Sequence, residues 1–335
     1  MKKSRDEFIQ KNSLCGGFLQ SDSWMKFQAD FGIRNHNISD KNFWSNILEY
    51  KLPLVGKYFY IPRGPISDKN IKKAELGKII EDLINLAKIN KAHWIRVDNF
   101  DKKIRSILKD KKYKVVKAPH DMQPRQIFVI DIDKKESEIL GEMKPKTRYN
   151  INLAQKRGVE IRLVENFENN SKKIERFINL IKKTGNRKGI NFHPDEYYRK
   201  MFKNISNDRL RLYTAVYKNK IIAGALLVIY GEIAIYLHGA SSDKYRNVMA
   251  PFLLQWEMIK EAKKMGATRY DFGGVSIDEA DKEREEKWAG VTRFKKGFSK
   301  KTKPIEFSGS YDIVINSSRY CLYCFIQKIK SVLLG

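Results

Sequence analysis

Three apolar runs, Leu212–Tyr217, Ile221–Tyr230 and Ile233–His238, follow one another with turns at Lys218-Asn219 and Gly231-Glu232. Short runs of this composition, joined by polar turns, predict an antiparallel meander. The period then changes. Met249, Phe252, Leu253, Trp256 and Ile259 recur at helical spacing across Val248–Met265, and Gly266 stands where a helix C-terminus accepts positive φ. Arg269–Phe272 returns to strand patterning. Strands, a helix and a further strand therefore read as one lobe of a mixed α/β fold.

The rest of the chain repeats this rhythm more loosely. A helix is expected over Phe18–Phe31 and a strand over Leu54–Tyr60, followed by a rigid turn at Ile61-Pro62-Arg63-Gly64-Pro65. The helix near Lys72–Asn90 shows an apolar face at Leu76, Ile79, Ile80, Leu83 and Leu86. Trp94–Asp98 reads as a buried strand ending in a carboxylate, and Tyr113–Val116 and Gln126–Asp131 as further strands. A seam falls around Lys134–Gly141. Beyond it come a short helix at Lys146–Arg157 closed by Gly158, a strand at Val159–Leu163, and helices near Lys172–Thr184 and Pro194–Phe202.

Composition narrows the class. The 335 residues, 42% hydrophobic and 31% charged, suffice for two lobes with cores. No run of eighteen apolar residues exists, and the start Met1-Lys2-Lys3-Ser4-Arg5-Asp6-Glu7 lacks a signal peptide's apolar segment, so a cytoplasmic protein is expected. Three cysteines agree with a reducing compartment. Cys321 and Cys324 form a lone CxxC without a second ligand pair, so ordinary buried thiols are expected and no metal. The net charge of +27 would attract polyanions. A lysine-rich proteome explains it as well, and charge alone does not settle between them.

The segment Phe294-Lys295-Lys296-Gly297-Phe298 follows the strand end Tyr270-Asp271-Phe272-Gly273-Gly274. An ammonium held between aromatics near such a strand end could neutralise an oxyanion or a phosphate. From spacing alone, two solvated lysines are the competing reading.

With these residues in place, the sequence resembles the Fem (FemABX-like) aminoacyltransferases. Ser21–Trp24, Tyr60–Pro65, Lys144–Ile151, Tyr236–Ser242, Met249–Trp256, Tyr270–Gly274 and Phe294–Phe298 are phrases of that family, in its order, from about Phe18 to Phe298. The resemblance implies an α/β (α+β) fold of two tandem GNAT-like acyltransferase domains with a cleft between them. Domain 1 would span residues 1–140 and be completed by a returning tail, 305–335; domain 2 would span 141–304. The segment between Gly189 and Asp208 is too short for the coiled-coil arm of some members, so the chain resembles the armless type. The implied reaction moves an amino acid from aminoacyl-tRNA to an amine of a UDP-linked or lipid-linked peptidoglycan precursor, building the interpeptide bridge. No cofactor is implied, and a monomer at the inner face of the membrane is expected.

Site residues carry over position by position. Lys295 matches the oxyanion-stabilising lysine, with Phe294 beside it packing the acceptor end of the RNA. Asp98 matches a carboxylate on the precursor's peptide side; a turn-capping aspartate is the alternative. Lys26 matches a lysine that holds a diphosphate. The second phosphate ligand, an arginine before Pro-x-x-Tyr in armless members, is His193 here, a departure that counts against a UDP-linked acceptor and leaves room for the lipid-linked one. Tyr197 and Tyr236 are retained, whereas a later tyrosine is His238, expected to be structural. Lys144, Lys146, Arg148, Lys156 and Arg157 cluster on and before one short helix and are expected to contact tRNA phosphates, unless they form a solvated face. The tail Tyr320–Leu334 is mildly amphipathic and is expected to pack back on the first lobe, with membrane contact as the alternative. Two other functions compete. An acyl-CoA N-acyltransferase would need a glycine-rich pyrophosphate loop, but Lys244–Ala250 has no glycine; a non-catalytic RNA-binding protein would need a binding module, and none is recognised.

Overall fold

The computed structural model describes residues 5–15, 17–98, 100, 102–188, 192–276 and 282–334. The chain divides into two compact units, Met1–Arg125 with Phe307–Gly335, and Gln126–Glu306. Each is built on a seven-stranded sheet.

The first unit opens with α1 (Arg5–Asn12), α2 (Asp22–Asp30), β1 (Arg34–Asp40), β2 (Phe43–Leu52), β3 (Gly56–Ile61) and β4 (Ile66–Ser67). It continues with α3 (Lys73–Ile89), β5 (Ala92–Asp98), α4 (Lys102–Asp110) and β6 (Lys114–Lys117). The helix expected over Phe18–Phe31 is broken at Ser21, whose hydroxyl accepts the Trp24 amide at 3.2 Å and starts α2 afresh after a 3₁₀ turn. On α3 the expected stripe is buried at Leu76, Ile79, Ile80 and Leu83 and half-buried at Leu86, and Ile84 and Ala87 join it.

The second unit comprises β7 (Gln126–Asp131), α5 (Glu136–Glu142), α6 (Pro145–Lys156), β8 (Glu160–Val164), α7 (Ser171–Lys188) and α8 (Asp195–Asn204). Then come β9 (Leu210–Tyr217), β10 (Lys220–Tyr230), β11 (Ile233–Ser241), α9 (Ala250–Lys264), β12 (Arg269–Val275), α10 (Lys282–Lys295) and β13 (Ile305–Glu306). The strand order is β13-β7-β12-β11-β10-β9-β8. Two sequence expectations change here. The boundary lies at Arg125 rather than residue 140, because β7 pairs antiparallel with β12 and β13 and so belongs to the second sheet. The seam at Lys134–Gly141 is largely helix α5, whose Glu138 carboxylate reaches back to accept the Lys135 amide at 2.8 Å.

Residues alternate between the two faces of the central strand β10. Ala223, Ala225 and Leu227 join the core under α6 and α9, which also holds Phe128, Trp256, Tyr270, Phe272 and Phe298. Gly224 points the other way, where its missing side chain leaves room for Phe177 of α7. Only α8 and short flanking segments separate α7 from β9.

The chain then returns to the first unit. β14 (Ser310–Val314) pairs antiparallel with both β5 and β6, and α11 (Ser317–Leu334) packs Tyr320 and Tyr323 on Trp94. A buried ion pair fixes this return. Arg96 Nε and Nη2 donate to Asp312 Oδ1 and Oδ2 at 2.8 and 2.7 Å, and Tyr320 Oη donates to Asp312 Oδ2 at 2.7 Å.

Candidate active site

β11 and β12 run parallel but pair only over Ile233–Ile235 and Arg269–Asp271. Beyond that point β11 continues along β10, whereas β12 keeps only β7, so the two strands part within the sheet. The β12–β7 register shifts between Asp271 and Gly274. Gly273 makes the shift with φ +73, and its amide donates to Asp271 Oδ1 at 2.6 Å. Glycine takes this left-handed conformation without the Cβ penalty.

Lys295, the last residue of α10, brings its ammonium to this parting. Its side chain is buried and Nζ donates to the Gly274 carbonyl at 2.6 Å. One turn earlier, Thr292 Oγ1 accepts the Ser276 amide at 3.1 Å, so two contacts pin the end of α10 to the end of β12. A Cβ built on Gly273 would lie 3.7 Å from Lys295 Nζ and 3.7 Å from the Tyr236 carbonyl oxygen. The cation therefore sits where both strand ends are within reach.

The aromatics on either side of Lys295 hold its position. Phe298 is fully buried against Phe272, ring centroids 4.9 Å apart, and Phe294 meets Phe252 edge-on at 5.0 Å. The Gly297 carbonyl accepts the Lys144 amide at 2.9 Å, and a side chain at 297 would press 2.5 Å from Thr147 Oγ1. The motif is thus clamped between the starts of α6 and α9. A cation in such desolvated surroundings interacts with a developing negative charge far more strongly than it would in water. Lys296 is only half-buried.

Tyr236 leaves β11 with its ring folded over Gly239, where any side chain would collide with the phenol; burial pushes its hydroxyl pKa up to about 12. His193 stacks on Tyr197 at 3.8 Å with an interplanar angle of 11°, and His238 meets both rings edge-on at 5.9 and 6.1 Å. Burial, reinforced by His193, lowers the His238 pKa to about 3, and its buried Nε2 has no hydrogen-bond partner. His193 is also held below its ordinary value by loss of solvent. Two neutral imidazoles therefore face each other beside Tyr197, and neither supplies a cation near neutral pH.

The basic cluster of α6 divides. Lys144, Lys146 and Lys156 are exposed. Arg148 Nη1 instead donates to the Met143 and Leu140 carbonyls at 2.5 and 3.3 Å, closing the end of α5, and Arg157 donates to the Asn247 carbonyl. At the start of α9, Met249 takes φ +58, Pro251 has no amide hydrogen, and the Phe252 amide is spent on the Met249 carbonyl. That helix start lacks the run of free amides on which a pyrophosphate would rest.

In the first unit, Asp98 ends β5 and is buried. Tyr60 Oη donates to its Oδ2 at 2.6 Å, Ser310 Oγ to its Oδ1 at 2.6 Å, and the Arg63 amide to Oδ2 at 3.3 Å. Burial raises its pKa against the opposing pull of these donors. Lys26 lies exposed on α2, opposite the buried Trp24, Met25 and Phe27. Sequence reasoning did not identify Ser310 or Gly273 in these roles. A glycine flanking a strand end was the signal for Gly273; Ser310 becomes readable only once the tail is placed between β5 and β6.

The FemAB family model matches residues 1–217 and 206–328. The lipid II:glycine glycyltransferase of Staphylococcus aureus (strain MRSA252) is 26% identical over 98% of this chain and 94% of its own length. That alignment runs over 411 positions, so the relative carries inserted residues that this 335-residue chain lacks. The Staphylococcus haemolyticus enzyme of the same name is 27% identical over 84% of this chain and 81% of its own. Among solved structures, FemX superposes with a TM-score of 0.78 at 23% identity, covering 98% of both chains, and shares the fold. L-PGS from Bacillus licheniformis shares it more distantly, with a TM-score of 0.58 at 14% identity over 90% of both. Matched along nearly its whole length by the family model, and similar throughout to named glycyltransferases, this chain belongs to the FemAB family of transferases.

Proposed function

We propose that the chain transfers an amino acid from the ester of an aminoacyl-tRNA to an amine on the stem peptide of a lipid-linked peptidoglycan precursor. The observation that carries the reading is the buried Lys295 ammonium, fixed at the parting of β11 and β12. The neutral precursor amine attacks the ester carbonyl, and the new C–N bond leaves a tetrahedral oxyanion. Lys295 supplies the positive charge opposite it, worth about 3–4 kcal/mol in such a site. Collapse breaks the bond to the ribose oxygen, and the proton lost by nitrogen ends on that oxygen. Free tRNA leaves with the hydroxyl restored.

Two observations support a lipid-linked acceptor. The named relatives act on lipid II. His193, at the place where armless members carry an arginine, is a stacked imidazole uncharged near neutral pH, so one cation for a nucleotide diphosphate is missing. The exposed Lys144, Lys146 and Lys156 are assigned to tRNA phosphates, and Asp98 to the peptide side of the precursor.

The test is label transfer from tRNA charged with a radiolabelled amino acid to detergent-solubilised lipid-linked precursor. Transfer is expected with at least one of several amino acids, and ribonuclease treatment of the donor is expected to abolish it. No transfer with any of them, alongside turnover of acetyl-CoA, would overturn the proposal.

A further inference from the structure

The first unit leaves apolar surface open. Seven large apolar side chains are exposed among the described residues; three of them, Leu322, Phe325 and Ile329, form one stripe along α11 at 37%, 62% and 42% exposure. The opposite face of that helix is the one that buries Tyr320 and Tyr323. A fourth, Leu54, is 82% exposed at the tip of the β2–β3 turn, where its φ is +65. Arg319, in the first turn of α11, donates to the Leu54 carbonyl at 2.9 Å, so tip and helix form one surface. A fifth, Ile89, ends α3 just before β5 begins beside β3, at the same end of the sheet. Single exposed apolar residues are ordinary, but a stripe joined to a tip is a patch.

The charges of α11 itself have one sign. α11 contains Arg319, Lys328 and Lys330 and no acidic residue. At helical spacing, Lys328 falls on one side of the Leu322–Phe325–Ile329 stripe, and Arg319 and Lys330 fall on the other. Lys51, near the end of β2, and the turn residue Lys91 are exposed close in sequence to Leu54 and Ile89. An apolar stripe between two rows of cations is the pattern of a helix lying in a membrane interface, with its apolar side chains below the headgroups and its cations level with them. No helix among the described residues is long and apolar enough to cross a membrane, so the contact would be peripheral.

We infer that the outer face of α11, with the Leu54 tip, seats this protein on an anionic phospholipid bilayer. This rests on the lipid-linked acceptor proposed above, since a seated enzyme meets a precursor confined to the same surface.

Sedimentation of the full chain with extruded vesicles tests it. The wild type is expected to pellet with phosphatidylcholine vesicles containing phosphatidylglycerol, to stay in solution with phosphatidylcholine alone, and to be released by salt. Lys328→Gln and Lys330→Gln are each expected to weaken binding about fivefold. The pair Phe325→Ser with Ile329→Ser is expected to weaken it at least roughly tenfold with an unchanged melting temperature. That pair should still transfer label onto detergent-solubilised precursor at the wild-type rate, so loss of transfer in the wild type refutes the enzyme reading, not the seat. A wild type that ignores anionic vesicles overturns the inference, as does binding untouched by the double variant. A dimer in sedimentation velocity that the double variant dissolves would assign the face to a second copy instead.

Discussion

Replacing Gly273 with alanine separates backbone strain from chemistry where β11 and β12 part. The backbone there has φ +73, a conformation that costs an L-residue roughly 1–2 kcal/mol. Sterically the new methyl fits, because its nearest neighbours, Lys295 Nζ and the Tyr236 carbonyl oxygen, would each be 3.7 Å away, ordinary van der Waals separation. The expected loss of stability is therefore the backbone term alone, about 1–2 kcal/mol, which for a unit of this size lowers Tm by about 2–8 °C. Activity should suffer more than stability does. The methyl occupies space beside the ammonium that an oxyanion must approach, and displacing a reacting atom by about 1 Å costs on the order of 10²-fold. The assay pairs calorimetry with single-turnover transfer, in the wild-type and Lys295→Met backgrounds. If the methyl acts through Lys295, Gly273→Ala lowers Tm equally in both but slows transfer only when the lysine is present. Unchanged turnover, or additive effects in the double variant, would refute the placement of the reacting carbonyl beside Gly273.

Two further outcomes follow from buried groups. Asp312→Ala should destabilise the first unit by about 3–5 kcal/mol in urea unfolding and expose the tail to trypsin, because Arg96 is left charged and uncompensated; the pair Asp312→Ala with Arg96→Met should lose clearly less, and an equal loss would contradict the ion-pair account. His238 has a folded pKa depressed to about 3, so its contribution to stability is complete above its ordinary value of 6.5 and declines as pH falls towards 3, by at most about 1.4 kcal/mol per pH unit. Its ring resonances should stay flat in an NMR titration down to about pH 4, and a midpoint near 6.5 would show the imidazole to be solvated.

Much of the second unit was legible because its strands are buried in long apolar runs and its helices carry single apolar faces. β9, β10 and α9 fall within a residue or two of where periodicity puts them, and β11 starts as expected but runs three residues past His238. Local pattern failed where pairing is remote. β7 looks like any strand, and only its partners β12 and β13, far along the chain, assign it to the second sheet. β1, Arg34–Asp40, carries almost no apolar signal because it is an exposed edge strand, and β2 beside it was not read either. At the candidate site, the Lys295 motif and the glycines after Phe272 stood out as sequence. The parting of β11 from β12 did not, since it depends on which neighbour each strand keeps. The charge of the α6 cluster was readable, but not that Arg148 and Arg157 spend their guanidinium groups on backbone carbonyls.

The central claim is that the Lys295 ammonium stabilises the transition state of aminoacyl transfer, and Lys295→Met tests it most directly. Methionine keeps the length of the side chain but loses the donor to the buried Gly274 carbonyl, a change that costs the fold about 1–3 kcal/mol. Single-turnover transfer from aminoacyl-tRNA to the lipid-linked precursor should fall roughly 10²–10³-fold. Precursor affinity should be unchanged, and the melting temperature should fall by no more than the loss of that one hydrogen bond explains. A transfer rate close to that of the wild type would contradict the account.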